Sequence, residues 1–270
     1  MQRREFLAAS GAAALGMIAS RAARGQESGA DRMLIELRTY HFASADKQQA
    51  FEQFLASVAI PAFNRAGVEP VGVFKLLEKD NPRTRLTTEA ADLWVLLPYK
   101  STDSLIHLED RMAADESYQK AGESIITSPM SDPAYSRYES TLLYSFPDFP
   151  QVQVPNRSPD RLLQLRRYES PNRERAIKKQ YMFNEGGELA VFKRSGMTGV
   201  FFGEALIGPR LPNLIYMLSF ENDAAQKKGW SAFGKDPQWK SLSGDPAYKD
   251  TVNQPAIMNL LLRPATGSQI

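Results

Sequence analysis

The sequence predicts an α+β fold of two tandem ferredoxin-like (βαββαβ) repeats, whose antiparallel sheets face each other as an α/β barrel. The first supporting observation is an internal repeat: Leu-Ile-Glu-Leu-Arg-Thr-Tyr at 34–40 returns as Leu-Leu-Gln-Leu-Arg-Arg-Tyr at 162–168. Four shorter matches follow in the same order along the chain. The second observation is that both copies show the same succession of strand-like and helix-like hydrophobic periods. Because one ferredoxin-like sheet leaves a face uncovered, two copies favour a closed barrel.

In the first copy, the strand predicted at 33–41 alternates between an aliphatic side and a polar side. Ser44 is suited to cap a helix whose apolar residues recur at helical spacing as far as Phe63, and Gly67 is suited to end it. The other predicted elements of this copy are strands at 71–77, 93–99 and 140–146 and a second helix from Ser101 to Met112.

The second copy follows the same order, with strands near 161–168, 198–206, 213–220 and 257–263 and helices near 172–195 and 223–233. It is shorter, so we expect inserted loops in the first copy at 79–91 and near 122–136. Four prolines within 147–160 predict a stiff, extended linker. The chain is therefore divided into an export signal (1–25), a joint (26–32), a first repeat (33–147), a linker (148–159) and a second repeat (160–266).

The N-terminus has the features of an export signal. Arg3 and Arg4 precede Phe6 and Leu7, and a weakly apolar run of small residues follows. The paired arginines resemble a twin-arginine signal, and the run is shorter than the about 20 apolar residues of a permanent span. We expect a periplasmic or secreted mature protein. No other long apolar segment occurs in the sequence, which predicts no mature membrane span.

The amino-acid composition excludes several classes of partner and functional site. Lys and Arg number 33 against 31 Asp and Glu, whereas a nucleic-acid binder would normally carry a large basic excess. The absence of Cys excludes disulfides, thiol nucleophiles and Cys-ligated zinc or iron–sulfur clusters. The only histidines are His41 and His107, which excludes a three-His metal site within one chain. We predict no nucleic-acid partner and no metal site, and we leave open a small-molecule ligand and a homo-oligomer.

The best site candidates are the polar positions of the first strand of each copy. They are Glu36, Arg38 and Tyr40 in the first copy and Gln164, Arg166 and Tyr168 in the second. We expect this polar side to point into the barrel, where the six residues would line a shared interior. A structural salt-bridge network between the sheets is the favoured interpretation, since a buried Arg needs a partner. The alternative is that Arg38 or Arg166 binds an anionic ligand oriented by Tyr40 or Tyr168.

Asp-Pro-Gln-Trp at 236–239 also has two interpretations. The favoured one is a turn after the second helix, which Asp236 caps and Pro237 starts, with Trp239 packed beneath the sheet. The alternative is that Trp239 forms one wall of a ligand site.

Several motifs resemble the NIPSNAP family. They are Leu-Arg-Thr-Tyr on the first strand, Val-Gly-Val-Phe at 71–74, Leu-Leu-Pro-Tyr-Lys-Ser at 96–101, and the segments Asp-x-x-Tyr at 115–118 and Asp-Pro-x-Trp at 236–239. The resemblance covers nearly all of residues 33–264, in two copies, and implies a dimeric α/β-barrel superfamily fold. Relatives in that superfamily include cofactor-independent monooxygenases, haem-binding enzymes and structural proteins. Some haem-binding relatives use a helix His as axial ligand, so His107 is the one haem candidate, although a surface histidine is the favoured interpretation.

No catalytic motif accompanies the resemblance. The sequence has no Gly-Lys-Ser/Thr phosphate loop, no Gly-x-Gly-x-x-Gly after a strand and no Gly-x-Ser-x-Gly. The predicted function is an exported NIPSNAP-like protein of undefined activity that binds a small ligand in the barrel interior. Two alternatives stay open: a cofactor-independent or haem-dependent monooxygenase-like enzyme, and a structural or interaction module.

Overall fold

A computed structural model describes residues 31–82 and 92–270 of the chain. The predicted signal at 1–25 and most of the joint at 26–32 lie outside the described residues, as do residues 83–91 of the predicted loop. The strands of the described part are β1 (Leu34–His41), β2 (Gly72–Leu76), β3 (Leu93–Tyr99), β4 (Arg137–Ser145), β5 (Leu162–Glu169), β6 (Thr198–Ile207), β7 (Asn213–Phe220) and β8 (Met258–Pro264).

These strands close into one barrel in the order β1-β3-β2-β8-β5-β7-β6-β4, and neighbouring strands are antiparallel. The first half (β1 to β4) has the ferredoxin-like order β4-β1-β3-β2, and the second half (β5 to β8) has the same order, β8-β5-β7-β6. Two seams join the halves, where β2 pairs with β8 and β4 pairs with β6. The predicted α/β barrel of two ferredoxin-like sheets is confirmed, and each predicted strand end lies within three residues of the observed one.

The barrel interior is apolar. A single buried cluster takes members from all eight strands, and such a cluster can only lie inside the barrel. Its strand members are Ile35, Leu37, Phe74, Leu76, Leu96, Leu143, Leu163, Leu165, Val200, Phe201, Ala205, Ile215, Met217 and Leu262. The aliphatic sides of β1 and β5 therefore face inward, and their polar sides face the helices.

The prediction that the polar side points into the barrel is therefore wrong. Both faces of each sheet are covered, one by the opposite sheet and one by helices. Alternation along a strand separates two sides, but it identifies the solvent-facing side only when one face is exposed to water. Here charged side chains lie beneath the helices, where cavities remain, while the closed interior is filled by apolar side chains.

The helices of the first half are α1 (Ala45–Phe54), α2 (Ile60–Arg65), α3 (Thr102–Ile106), α4 (Leu108–Ala114) and α5 (Glu116–Ile126). Ser44 accepts a hydrogen bond from the Lys47 N–H and caps α1, as predicted. A π-helical stretch, Leu55–Ala59, joins α1 to α2 without a break, and Gly67 follows at φ 83°. Part of the predicted loop near 122–136 belongs instead to α5.

The helices of the second half are α6 (Arg173–Phe183), α7 (Glu188–Arg194), α8 (Asp223–Lys235) and α9 (Pro237–Gly244). The single helix predicted at 172–195 is interrupted at 184–187, where Gly187 takes a φ of 82° that glycine adopts without strain. Asn172 and Asn222 cap α6 and α8 by accepting backbone N–H groups.

The proline-rich segment that connects the halves packs against the barrel. Val152 is buried in the barrel cluster, and the Gln153 N–H donates to the Val200 carbonyl at 2.8 Å. Residues 32–270 accordingly form one compact unit. Within the described residues, no helix combines the length and hydropathy that a membrane crossing requires.

Candidate ligand-binding site

The six predicted site residues form two groups of three. Glu36, Arg38 and Tyr40 on β1 lie beneath the helices of the first half. Gln164, Arg166 and Tyr168 on β5 lie beneath the helices of the second half. Arg38 and Tyr40 line one cavity, and Arg166 and Tyr168 line another. Glu36 and Gln164 line neither, and the six residues do not share a site in the barrel interior.

In the first half, Glu36 engages the guanidinium of Arg38. Nε and Nη2 of Arg38 donate to the two carboxylate oxygens of Glu36 at 2.8 and 3.0 Å. The hydroxyls of Tyr99 and Ser140 donate to the same carboxylate at 2.7 and 2.8 Å. Arg38 Nη1 also lies 3.4 Å from the Tyr40 hydroxyl. The salt-bridge network favoured from the sequence is present, but it lies within one half rather than between the sheets.

This network fixes the charge states of its members. Burial would raise the pKa of Glu36, but hydrogen bonds from Arg38, Tyr99 and Ser140 hold it below its ordinary value. Burial would likewise lower the pKa of Arg38, but Tyr40 and Glu36 raise it. Burial raises the pKa of Tyr40 to about 12, against the influence of Arg38. The pair is therefore ionised and the tyrosines are neutral at pH 7.

The first-half cavity has a volume of about 280 Å³ and mainly aromatic walls. Tyr40 and Tyr138 stack in it with ring centroids 5.1 Å apart. Its charged lining consists of Arg38 and Glu109, with Nη2 and Oε1 3.7 Å apart. Because Glu36 also pairs with Arg38, two carboxylates surround one guanidinium, and this cavity offers no unpaired positive charge.

In the second half, Gln164 occupies the position of Glu36 and has other partners. Its Oε1 accepts from Trp230 Nε1 at 2.6 Å and from Gln226 Nε2 at 3.3 Å. Its Nε2 donates to Asn259 Oδ1 at 2.6 Å. A neutral amide thus replaces the carboxylate, and its hydrogen bonds go to residues other than Arg166.

Arg166 has no hydrogen-bonding or ion-pairing partner in the part of the chain that the structure describes, and its Nε is shielded from solvent. The guanidinium carbon lies 5.1 Å from the ring centroid of Tyr168 and 4.7 Å from that of Trp230. The guanidinium thus lies over the faces of two aromatic rings, which attract its charge but offer no hydrogen-bond acceptor to its N–H groups.

The second-half cavity has a volume of about 400 Å³. Its aromatic lining residues are Tyr168, Trp230, Phe233, Trp239 and Tyr248. Lys179 and Glu188 also line it, and both are buried with Nζ and Oε2 2.7 Å apart. Burial raises the pKa of Glu188, while Lys179 opposes this effect. Glu188 pairs with Lys179 and is also stabilised by the charge of Arg166, so the three side chains together carry one net positive charge.

The turn predicted at 236–239 is the first turn of α9, which was not predicted, and Trp239 is also a cavity wall. The Asp236 carboxylate accepts the N–H groups of Gln238 and Trp239 and caps α9. Arg194 donates to the same carboxylate at 2.7 and 2.6 Å, and this bonding lowers the pKa of Asp236 to about 2. Trp239 packs against the core of the second half and borders the cavity.

Neither histidine lines the two cavities. The His107 side chain is 52% exposed, and its ring nitrogens lie 3.6 and 3.2 Å from carboxylate oxygens of Asp103 and Asp110. It therefore does not fit the role of an axial haem ligand, which must reach into a haem pocket. His41 Nδ1 lies 2.9 Å from Asp92 Oδ1 at the end of β1. Among the described residues, no group of three or more His, Cys, Asp or Glu is arranged to hold a metal ion.

Sequence reasoning did not find the buried ion pair of the second-half cavity. One signal could have indicated Lys179, because it shares a helical stripe with Ala176, Met182 and Phe183, all of which are buried. Glu188 carries no such signal, since it begins a short helix after an interruption that was not predicted.

The fold defines the class of protein. It is an α+β barrel of the dimeric α/β-barrel type, with both halves in one chain. A solved structure from Fusobacterium nucleatum, provisionally named a monooxygenase, shares it with a TM-score of 0.58 and 8% identity, covering 87% of this chain and 93% of that chain. A second, from Lactobacillus acidophilus and named likewise, has a TM-score of 0.55 and 12% identity, covering 88% and 98%. Identities this low show a shared fold and carry no activity over to this chain.

The NIPSNAP family model matches residues 163–268, a range that contains the whole lining of the second-half cavity. The second half of the chain is therefore similar to the NIPSNAP family. A NIPSNAP family protein of unknown function from Agrobacterium tumefaciens is 17% identical, with a TM-score of 0.36, and covers 43% of this chain and 98% of its own. No protein with a curated description matches the chain.

Proposed function

We propose that this protein binds a small ligand in the second-half cavity, at the guanidinium of Arg166. The observation that carries the proposal is a partly buried Arg whose shielded Nε has no acceptor among the described residues. An unsatisfied charged donor costs free energy, and a ligand that accepts from it removes this cost. A cavity of about 400 Å³ falls within the range that holds small organic molecules.

This cavity replaces the barrel interior as the proposed ligand site. The interior is filled by buried apolar side chains from every strand. The cavity has exposed residues at its rim, namely Gly234 and Ser243. A ligand therefore has a route to Arg166 that leaves the barrel closed.

Native mass spectrometry of the full chain tests the proposal, as purified and after mixing with a panel of neutral and charged aromatic compounds. Gly234 lines the cavity, and a Cβ built there meets no atom within 4 Å, so Gly234→Trp should obstruct the entrance without a clash. Gly244 on α9 has equally open surroundings and does not line the cavity, which makes Gly244→Trp the matched control. We expect a bound compound in the wild type and in Gly244→Trp that is lost in Gly234→Trp. Equal binding by all three proteins would refute the proposed site.

We also propose that the first half is a diverged NIPSNAP domain and that the chain is exported to the periplasm or beyond. The internal repeat supports the first statement, and the Arg3-Arg4 start with its small-residue run supports the second. Cell fractionation should find a shortened wild-type protein outside the cytoplasm and an uncleaved Arg3→Lys/Arg4→Lys variant inside it. The same size and compartment for both proteins would contradict export by this route.

A further inference from the structure

We infer that the ligand of the second-half cavity is a small, flat aromatic monocarboxylate whose carboxylate pairs with Arg166. The inference rests on the proposed function and adds the chemical class of the ligand. Four features of the described residues support it: the charge balance of the cavity, the way its guanidinium is held, its aromatic walls, and the pair that the equivalent Arg makes in the other half.

The charge balance favours a ligand with one negative charge. Lys179 and Glu188 pair at 2.7 Å, so the lining of the cavity keeps one uncompensated positive charge, on Arg166. A neutral ligand leaves that charge uncompensated. A dianion such as a phosphate monoester brings a second negative charge into a cavity that already contains Glu188. A monoanion brings the cavity to neutrality.

The contacts of the guanidinium favour a planar acceptor. The guanidinium carbon lies 5.1 and 4.7 Å from the ring centroids of Tyr168 and Trp230, and these cation–π contacts supply no hydrogen-bond acceptor. The donors lie in the plane of the guanidinium, and two parallel N–H groups match the two oxygens of a carboxylate. Arg166 lines the cavity, and its guanidinium supplies these donors.

The walls favour a flat ring as the body of the ligand. Trp230, Phe233, Trp239 and Tyr248 line the cavity together with Tyr168. Aromatic side chains pack best against another ring in offset-stacked or edge-to-face arrangements. An aromatic acid therefore uses the walls and the guanidinium at the same time.

The first half shows the same kind of pair within the protein. Arg38 occupies on β1 the position that Arg166 occupies on β5, and it binds the Glu36 carboxylate through Nε and Nη2 at 2.8 and 3.0 Å. In the second half, Gln164 stands at the position of Glu36, and no internal carboxylate pairs with Arg166 in the described part of the chain. The difference between Glu36 and Gln164 thus leaves only the second guanidinium available to a ligand's carboxylate.

Isothermal titration calorimetry of the full chain with 2-naphthoate and with 2-naphthamide tests the ligand class, because the two compounds share a ring system and differ in charge. We expect 2-naphthoate to bind the wild type and to lose about 10-fold or more in affinity in Arg166→Gln, the loss typical of a charged hydrogen-bonded pair. The affinity for 2-naphthamide should be weaker and equal in both proteins. The matched control is Glu36→Gln/Arg38→Gln, which removes the first-half pair without stranding a charge and should retain 2-naphthoate affinity.

Arg166→Gln breaks no hydrogen bond among the described residues, so an unchanged unfolding midpoint shows that a loss of binding is not misfolding. If Arg166→Gln does not fold, Arg166→Lys replaces it in the titrations. Lys keeps the positive charge but cannot bind a carboxylate through two parallel N–H groups. Equal affinities of the wild type for the two compounds, or full 2-naphthoate affinity without Arg166, would overturn the ligand class. The proposed function would then still stand if Gly234→Trp abolished binding of either compound. It fails together with this inference if no compound binds in a way that Gly234→Trp blocks.

Discussion

Arg38 and Arg166 occupy equivalent positions, and they differ in what compensates their charge. For Arg38 the compensating carboxylate belongs to the chain, in a pair where both side chains are about 10% exposed. For Arg166 the amide of Gln164 turns away to Trp230 and Asn259. The first half therefore compensates its buried guanidinium with its own carboxylate, whereas among the described residues the second half has no carboxylate paired with Arg166.

Removal of Glu36 tests this difference at the level of one residue. Glu36→Ala removes the buried carboxylate that pairs with Arg38 and leaves the guanidinium only the exposed Glu109, 3.7 Å away, so we expect the free energy of unfolding to fall by about 3 kcal/mol. Urea denaturation measures this loss. The double variant Glu36→Gln/Arg38→Gln should lie much closer to the wild type, because no lone charge stays buried. A loss below about 1 kcal/mol in Glu36→Ala would show that the pair is not needed for folding.

The pH dependence of stability should carry the signature of the same carboxylate. Because the folded-state pKa of Glu36 lies below its unfolded value of about 4.3, its contribution is fully present above that value. The contribution is lost as the pH falls through the folded-state pKa. We expect the unfolding free energy of the wild type to decline below about pH 4 more steeply than that of Glu36→Gln. Parallel curves in urea titrations at several pH values would contradict this.

The sequence shows which residues of a strand share a side. It does not show which residues of other elements form hydrogen bonds with them. Glu36 and Arg38 were paired correctly because residues two apart on a strand share a side. Tyr99 and Ser140 complete the network from β3 and β4, and their positions depend on strand register. Nothing local to Gln164 indicates that its acceptor would bind Trp230 on α8. The free guanidinium of Arg166 was therefore beyond prediction.

One buried side chain, Asn81, extends the hydrogen bonding between the two halves at the seam of β2 and β8. Asn81 Nδ2 donates to the carbonyls of Leu77 and Leu261 at 3.0 and 2.7 Å, and Asn81 Oδ1 accepts the Leu261 N–H at 2.8 Å. The amide thus pairs with the backbone of β8 beyond the last residue of β2. The Asn81 side chain thus links the two halves at a position that follows the end of β2.

Replacement of Asn81 tests the strength of this seam. Asn81→Leu keeps the volume but leaves the N–H and carbonyl of Leu261 without these partners, at a cost of about 1–3 kcal/mol for each buried group. We expect a lower unfolding midpoint in thermal and chemical denaturation, with faster amide hydrogen exchange in β8. Unchanged stability would show that other groups or water satisfy the seam.

The helices that sequence reasoning missed are short and begin after capping residues. The Asp115 side chain accepts the Tyr118 N–H and caps α5, and Asp236 caps α9 in the same way. Both caps lie in the motifs that carry the family resemblance. The eight residues of α9 are too few for a clear helical period, and the C-terminal part of α5 was assigned to a loop insertion near 122–136. The strands were predicted well because branched and aromatic residues alternate along them.

At the scale of the whole molecule, each half covers an apolar sheet face of the other. The barrel cluster contains Ile35 and Leu37 of β1 together with Leu163 and Leu165 of β5. The sequence predicted this closure from the repeat alone. It could not show which side of each strand closes the barrel, because both sides of each sheet are buried.

Separation of the halves tests this mutual dependence. A fragment of residues 148–270 has all of β5 to β8 but exposes the inner face of its sheet, with Ile215 and Met217 uncovered. We expect it to bind a hydrophobic dye and to elute as a dimer or aggregate, since an apolar sheet face seeks a partner. Co-expression with residues 32–147 should restore a soluble complex. A monomeric fragment with native circular dichroism and no dye binding would contradict this account.

Only the second-half cavity should present an unpaired guanidinium to an anion. The barrel interior and the first-half cavity should not. Anomalous diffraction from iodide soaked into crystals of the protein tests it most directly, because iodide reports a free positive charge without any requirement for ligand shape. We expect an iodide in the second-half cavity in contact with Arg166, and none beside Arg38 or within the barrel. An iodide beside Arg38 or inside the barrel, with none at Arg166, would contradict it.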